Sequence, residues 1–176
     1  MKKLLFSSTP SGFTLVEMLV VIALLGVIAT AIIIGINPVA QINKTNDAHR
    51  KSDLSAIQKA LELYYQDNGK YPASSADFKI YINSTAISWG SSWSPYITTL
   101  PKDPSPTNTY IYYSPASGDG QTYYIYANLQ RGKSDSQSCN TGAACTSLTQ
   151  GASGFPTATA CGGTCNYGVS SPNVSP

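Results

Sequence analysis

From Met18 to Ile36 the chain is apolar at almost every position, broken only by Gly26, Thr30 and Gly35. As a helix rising ~1.5 Å per residue, those nineteen residues reach about 28 Å, close to the hydrocarbon thickness of a bilayer. The pattern then changes period. Over Val39–Asp67 the apolar residues Ile42, Ala48, Leu54, Ile57, Leu61, Tyr64 and Tyr65 recur mostly at helical spacing, with Lys44, Arg50, Lys51, Lys59 and Glu62 between them. That spacing predicts a second, amphipathic helix packed on a sheet. Asn37-Pro38 separates the two patterns, and proline disfavours helix at the residue before it. A kink or unwound stretch is therefore expected across Gly35, Asn37 and Pro38. Gly69 suits the end of the second helix.

Beyond it the period becomes two. Thr109–Ser114 and Thr122–Leu129 are rich in Tyr and Ile, with turn residues Ala116-Ser117-Gly118-Asp119-Gly120 between them, which predicts an antiparallel hairpin. Tyr123, Ile125, Ala127 and Leu129 share one face of it, the face expected to lie on the helix. A short strand is expected at 78–82, and Trp89 and Trp93 are expected to pack their loop onto the helix. The division is then residues 1–12, 13–38, 39–69, 70–108, 109–130 and 131–176, in an α+β arrangement.

Charge is sparse, at 11% of residues against a typical ~25%. Lys2 and Lys3 supply the whole net excess of +2; without them nine basic residues balance nine acidic ones. That near-neutrality weakens the case for a globally basic nucleic-acid footprint. A local stripe of Lys44, Arg50, Lys51 and Lys59 is expected to be solvated, as is His49, which has no nucleophile to activate. Cys139, Cys145, Cys161 and Cys165 cluster in a Ser/Thr/Gly-rich tail, which reads as disulfides in an oxidising compartment rather than zinc. Three pairings are open; local closure of Cys139 with Cys145 and Cys161 with Cys165 is preferred. Asn43, Asn83 and Asn173 begin glycosylation-type triplets, expected as chance in so polar a chain. No motif supplies a nucleophile with its base, a metal cluster or a phosphate loop, so neither an enzyme nor a bound cofactor is expected.

One acid, Glu17, stands at the start of the apolar run, the only charge between Lys3 and Lys44. It belongs to Gly12-Phe13-Thr14-Leu15-Val16-Glu17, which resembles the cleavage site and mature start of type IV pilins and type II secretion pseudopilins. Asn68-Gly69-Lys70-Tyr71-Pro72 and Leu100-Pro101-Lys102-Asp103-Pro104 resemble two further elements of pseudopilins, although Ser105-Pro106-Thr107 stands where that family has Trp-Gly. The resemblance implies the pilin fold: a long helix packed on a small antiparallel sheet, followed here by a disulfide-stapled loop region. It implies removal of a basic leader between Gly12 and Phe13 by a prepilin peptidase, with methylation of Phe13. It also implies polymerisation with identical subunits through the helix, with membrane lipid as the earlier surroundings and an assembly platform and motor ATPase as machinery. An ionised acid inside hydrocarbon costs on the order of 3 kcal/mol on insertion scales, tolerable if the Phe13 amine of a neighbour meets Glu17. A pilus used for adhesion, motility or DNA uptake is the favoured reading, with host surface or DNA as weak partners; a secretion pseudopilin is the alternative. Pseudopilins also carry calcium in their carboxy-terminal loops. Asp119 and Asp135, the only acids after Asp103, are too few to expect it.

Overall fold

A computed structural model describes residues 12–115, 119–149 and 154–176; the leader before Gly12 and the centre of the turn expected at 116–120 fall outside them. Two compact units meet between Gln41 and Ile42. The first is built on α1 (Leu15–Ile36). α2 (Pro38–Asn68) crosses into the second.

The helical stretch of α1 includes Gly35, so the break is confined to one residue, Asn37, at φ 46° and ψ 75°. Asn tolerates this left-handed region better than most side chains. Asn37 also opens α2, its side-chain Oδ1 accepting from Ala40 N at 3.3 Å. Pro38 then takes the first helical position, where a missing N–H costs nothing. A helix-breaking pair in the sequence thus becomes a stop and a restart. At the other end, Gly69 at φ +70° donates its N–H to Tyr65 O at 2.8 Å and closes α2.

The second unit holds two small sheets. β1 (Ala73–Ser74), β2 (Ile80–Ile82) and β3 (Thr85–Ala86) form an antiparallel meander. Asn83 and Ser84, both at positive φ, make the two-residue turn of its second hairpin. β4 (Ile111–Tyr113), β5 (Tyr124–Ala127) and β6 (Tyr167–Ser170) form the main sheet in the order β4-β5-β6. Tyr112 pairs with Ile125, and Ile125 with Val169. Tyr112 N donates to Phe78 O at 2.8 Å and ties the two sheets together.

Alternation along β5 sends its residues to two cores. Tyr123, Ile125 and Ala127 join Tyr110, Tyr112 and the α2 residues Leu54, Ile57, Ala60 and Leu61. Ile111 and Tyr126 instead meet Cys145, Leu148, Cys161 and Cys165 of the tail. Burial of one such aliphatic side chain is worth roughly 1.5–3 kcal/mol, so both faces are held by apolar contact. The tail therefore does more than the stapled loop expected of its composition: it supplies the strand β6 and roofs the second face. Ile42 and Ala48, placed on the packing stripe by their spacing, are exposed; the contact with the sheet begins further along α2. Trp93 is buried against Tyr64 and Tyr96, and Trp89 stands edge-on to Tyr110, so both indoles pack the loop.

Candidate assembly site

α1 begins with a reciprocal cap. Glu17 N donates to Thr14 Oγ1 at 3.2 Å, and Thr14 N donates to Glu17 Oε2 at 3.4 Å. A helix start leaves backbone N–H groups without partners, and a carboxylate there also meets the positive end of the helix dipole. Glu17 is exposed, and its contacts within the chain are long. Phe13 is 76% exposed, and every described apolar side chain of α1 is also exposed. Leu15–Ile32 is long and apolar enough to cross a membrane, with a mean hydropathy of 2.7. Thr30, the uncharged polar side chain within that span, donates its hydroxyl to Val27 O at 2.8 Å and so exposes no unpaired donor. Gly12, Phe13 and Glu17 therefore lie within one turn of the helix start, and Asn37 and Pro38 at its other end.

The charges on α2 are arranged otherwise. Arg50 is 0% exposed. Its Nε and Nη2 donate to the two carboxylate oxygens of Asp103 at 2.8 and 2.9 Å, and its Nη1 donates to Asp47 at 2.9 Å. Asp47 also accepts from the backbone N–H groups of Gln130 and Arg131, at 2.9 and 2.8 Å. One guanidinium thus joins α2 to the Leu100–Pro104 element and to the turn after β5. Burial opposes its charge, yet the two carboxylates hold its pKa above the ordinary value. Sequence reading placed Arg50 in a solvated stripe and gave Asp103 no role. An acid in a Pro-flanked loop, needing a cation from elsewhere, was the available signal. Beside Arg50, Lys51 pairs with Asp135 and with Gln137, and lies over the Tyr167 ring at 5.6 Å from its centroid. The Lys51 hydrogen bond holds the Asp135 carboxyl below its ordinary value. His49 is exposed on the same helix.

Tyrosine hydroxyls satisfy two further acids of α2, Asp53 and Glu62. Tyr110 donates to Asp53 at 2.6 Å; Tyr71 and Tyr123 donate to Glu62 at 3.0–3.2 Å. Burial pushes Tyr71, Tyr110 and Tyr123 well up, and the facing carboxylates push them further. In the tail, disulfides join Cys139 to Cys145 and Cys161 to Cys165. Asn166 then binds the turn after β5, its Oδ1 accepting from Leu129 N at 2.7 Å and its Nδ2 donating to Leu129 O at 3.0 Å. A Cβ at Gly132 would collide with that amide, so the close approach requires glycine there.

These acids do not fit calcium. Asp47, Asp103 and Asp135 are already engaged by Arg50, Lys51 and backbone N–H groups. No cluster of three or more His, Cys, Asp or Glu suited to a metal exists among the described residues. The site therefore consists of an exposed apolar helix with one carboxylate at its start, while in the second unit the buried charges are paired within the chain.

Residues 8–33 match the prokaryotic N-terminal methylation motif, and residues 37–142 match the type II secretion system protein G family. A type II secretion system core protein G from Aeromonas hydrophila is 35% identical over 97 residues, covering 53% of this chain and 66% of that protein, just under two thirds of its length. The Pseudomonas aeruginosa protein of that name is 30% identical over 129 residues, covering 71% of this chain and 89% of its own length. The Vibrio cholerae protein is 30% identical over 118 residues, 66% of this chain and 77% of that one. No solved structure matches. The findings support the secretion alternative over the pilus favoured from sequence, and the chain belongs to the type II secretion system protein G family of pseudopilins.

Proposed function

We propose that this protein is a structural subunit of a type II secretion pseudopilus. A prepilin peptidase cuts between Gly12 and Phe13 and methylates Phe13. The subunit then rests in the membrane through α1 until an assembly platform and motor ATPase add it to a filament of identical subunits. One observation carries the reading: α1 buries none of its described apolar side chains, and its single acid stands at the helix start with only long internal hydrogen bonds. Lipid first, and neighbouring helices afterwards, cover that surface. The freed Phe13 amine of a neighbour is the cation that answers Glu17, fixing register more than adding stability. Ala23, Gly26, Ala29 and Ala31 permit the close helix approach this needs.

The test is replacement of the gene by a Glu17→Ala variant in its native host. The chain is expected in the membrane fraction at its ordinary level, with a mature start at Phe13 heavier by one methyl group, but absent from sheared filaments. Loss of protein export with surface motility intact would accompany it. Filaments at the ordinary level from that variant would refute the pairing, and a chain still starting at Met1 would refute the processing. Loss of motility with export intact would return the pilus reading.

A further inference from the structure

Positive charge gathers near the start of α2, although Lys59, Lys70 and Lys102 are exposed elsewhere. Asp47, Asp103 and Asp135 face Arg50 and Lys51, and with the exposed Lys44, Arg131 and Lys133 these five cations and three acids leave the cluster a net +2, Arg131 also acting on Asp135. Two of these, Lys44 and Arg131, come from α2 and from the turn after β5, and they line a surface hollow of about 430 Å³ with Lys51, Ser134 and Ser136 and with the acids Asp47 and Asp135. Arg131 and Lys133 border the adjoining hollow beside Asn43. The exposed acids of the second unit are Asp67, Asp77 and Asp119: Asp67 is in the last turn of α2, about 35 Å along the helix from Lys44 at ~1.5 Å per residue, Asp77 lies between β1 and β2, and Asp119 borders a different hollow with Lys70. Lys44 follows the apolar run by eight residues, almost all helical, which allows about 12 Å. The headgroup layer outside the hydrocarbon is itself roughly 5–7 Å deep, and exposed charges act across a Debye length of about 8 Å.

We propose that Lys44, Arg131 and Lys133, with the hydroxyls of Ser134 and Ser136, form a docking surface for the phosphates of anionic phospholipid headgroups in the leaflet from which α1 emerges. The proposal rests on α1 being a membrane anchor. It gives the stored subunit a second, electrostatic hold on the bilayer, one released when the subunit leaves for the filament. Chain reach selects lipid over other polyanions, because residue 44 cannot be far from the bilayer surface while α1 is inserted. Each net juxtamembrane charge contributes about fivefold in surface affinity, so the cluster supplies roughly twenty-five-fold.

The experiment uses the full chain in nanodiscs of phosphatidylcholine alone or mixed with phosphatidylglycerol, read by amide hydrogen exchange. Backbone amides of 130–136 are expected to exchange at least about fivefold more slowly in the anionic discs, with the difference erased by high salt. The Lys44→Gln/Arg131→Gln/Lys133→Gln variant is expected to lose the difference while keeping its melting temperature in detergent. Entry into both discs with equal exchange would overturn the docking and leave the anchor intact; failure to enter either would overturn the anchor and the docking with it. Protection in phosphatidylcholine discs by inorganic phosphate, or by duplex DNA above that given by phosphatidylglycerol, would also overturn the lipid assignment.

Discussion

α1 and α2 follow one another with a single residue between them, yet they treat their side chains in opposite ways. α1 is apolar around its circumference and buries none of its described side chains. α2 carries Asp47, Arg50, Asp53, Glu62, Lys51 and Lys59, and every one of these except Lys59 has a partner inside its own chain. An apolar helix with no internal partner states that its partner lies outside the chain, because exposed apolar area of that size is costly in water. Buried charges that are fully paired state the reverse: those contacts were completed within the subunit, where removal of one member is heavily penalised.

The comparison is open to attack first through pH. Tyr110, Tyr112, Tyr123 and Tyr126 are buried, and burial raises the pKa of each. A raised tyrosine pKa gives stability that is complete below the ordinary phenol value near 10 and is lost above it, because the unfolded chain then releases protons the folded head retains. Each such tyrosine costs about 1.4 kcal/mol per pH unit above that value. The head is expected to unfold cooperatively by about pH 11, while the α1 helix signal persists in detergent, as circular dichroism would record. A head still folded at pH 12 would break the assignment of these hydroxyls to the core.

Next in size is Arg50→Ala, which leaves Asp47 and Asp103 buried without their cation. A loss of about 3–5 kcal/mol is expected in urea unfolding of the full chain in detergent. A loss under 1 kcal/mol would mean that water reaches the pair. The smallest effect sharpens the contrast: Ile28→Ala on α1 is expected to change head stability by less than about 0.5 kcal/mol, since Ile28 is exposed. A larger change would show that α1 does have a partner within the chain.

What could be read from the sequence follows the same division. The apolar run, Glu17 and the Gly12-Phe13 site are local patterns, and all begin inside the stretch 8–33 that matches the N-terminal methylation motif. The alternation in Tyr123-Tyr124-Ile125-Tyr126-Ala127 was also local and gave the correct helix-facing residues. Arg50 and Asp103 were missed because they stand 53 positions apart and neither looks buried by type. β6 was missed because Tyr167-Gly168-Val169-Ser170 is short, glycine-interrupted and set in polar sequence; only its pairing with β5 makes it a strand. It lies past residue 142, where the family match stops.

β6 also sets an order of events. Its partner strand precedes it by about forty residues, so the main sheet cannot close until residues 167–170 have reached β5. Both disulfide loops are short, spanning separations of 6 and 4 residues, and short loops close early and at little entropic cost. The tail can therefore arrive at the waiting hairpin already cross-linked, as a preassembled lid. Until that moment one face of β4 and β5 stays open to solvent, and the pairing of β6 decides when the main sheet is complete.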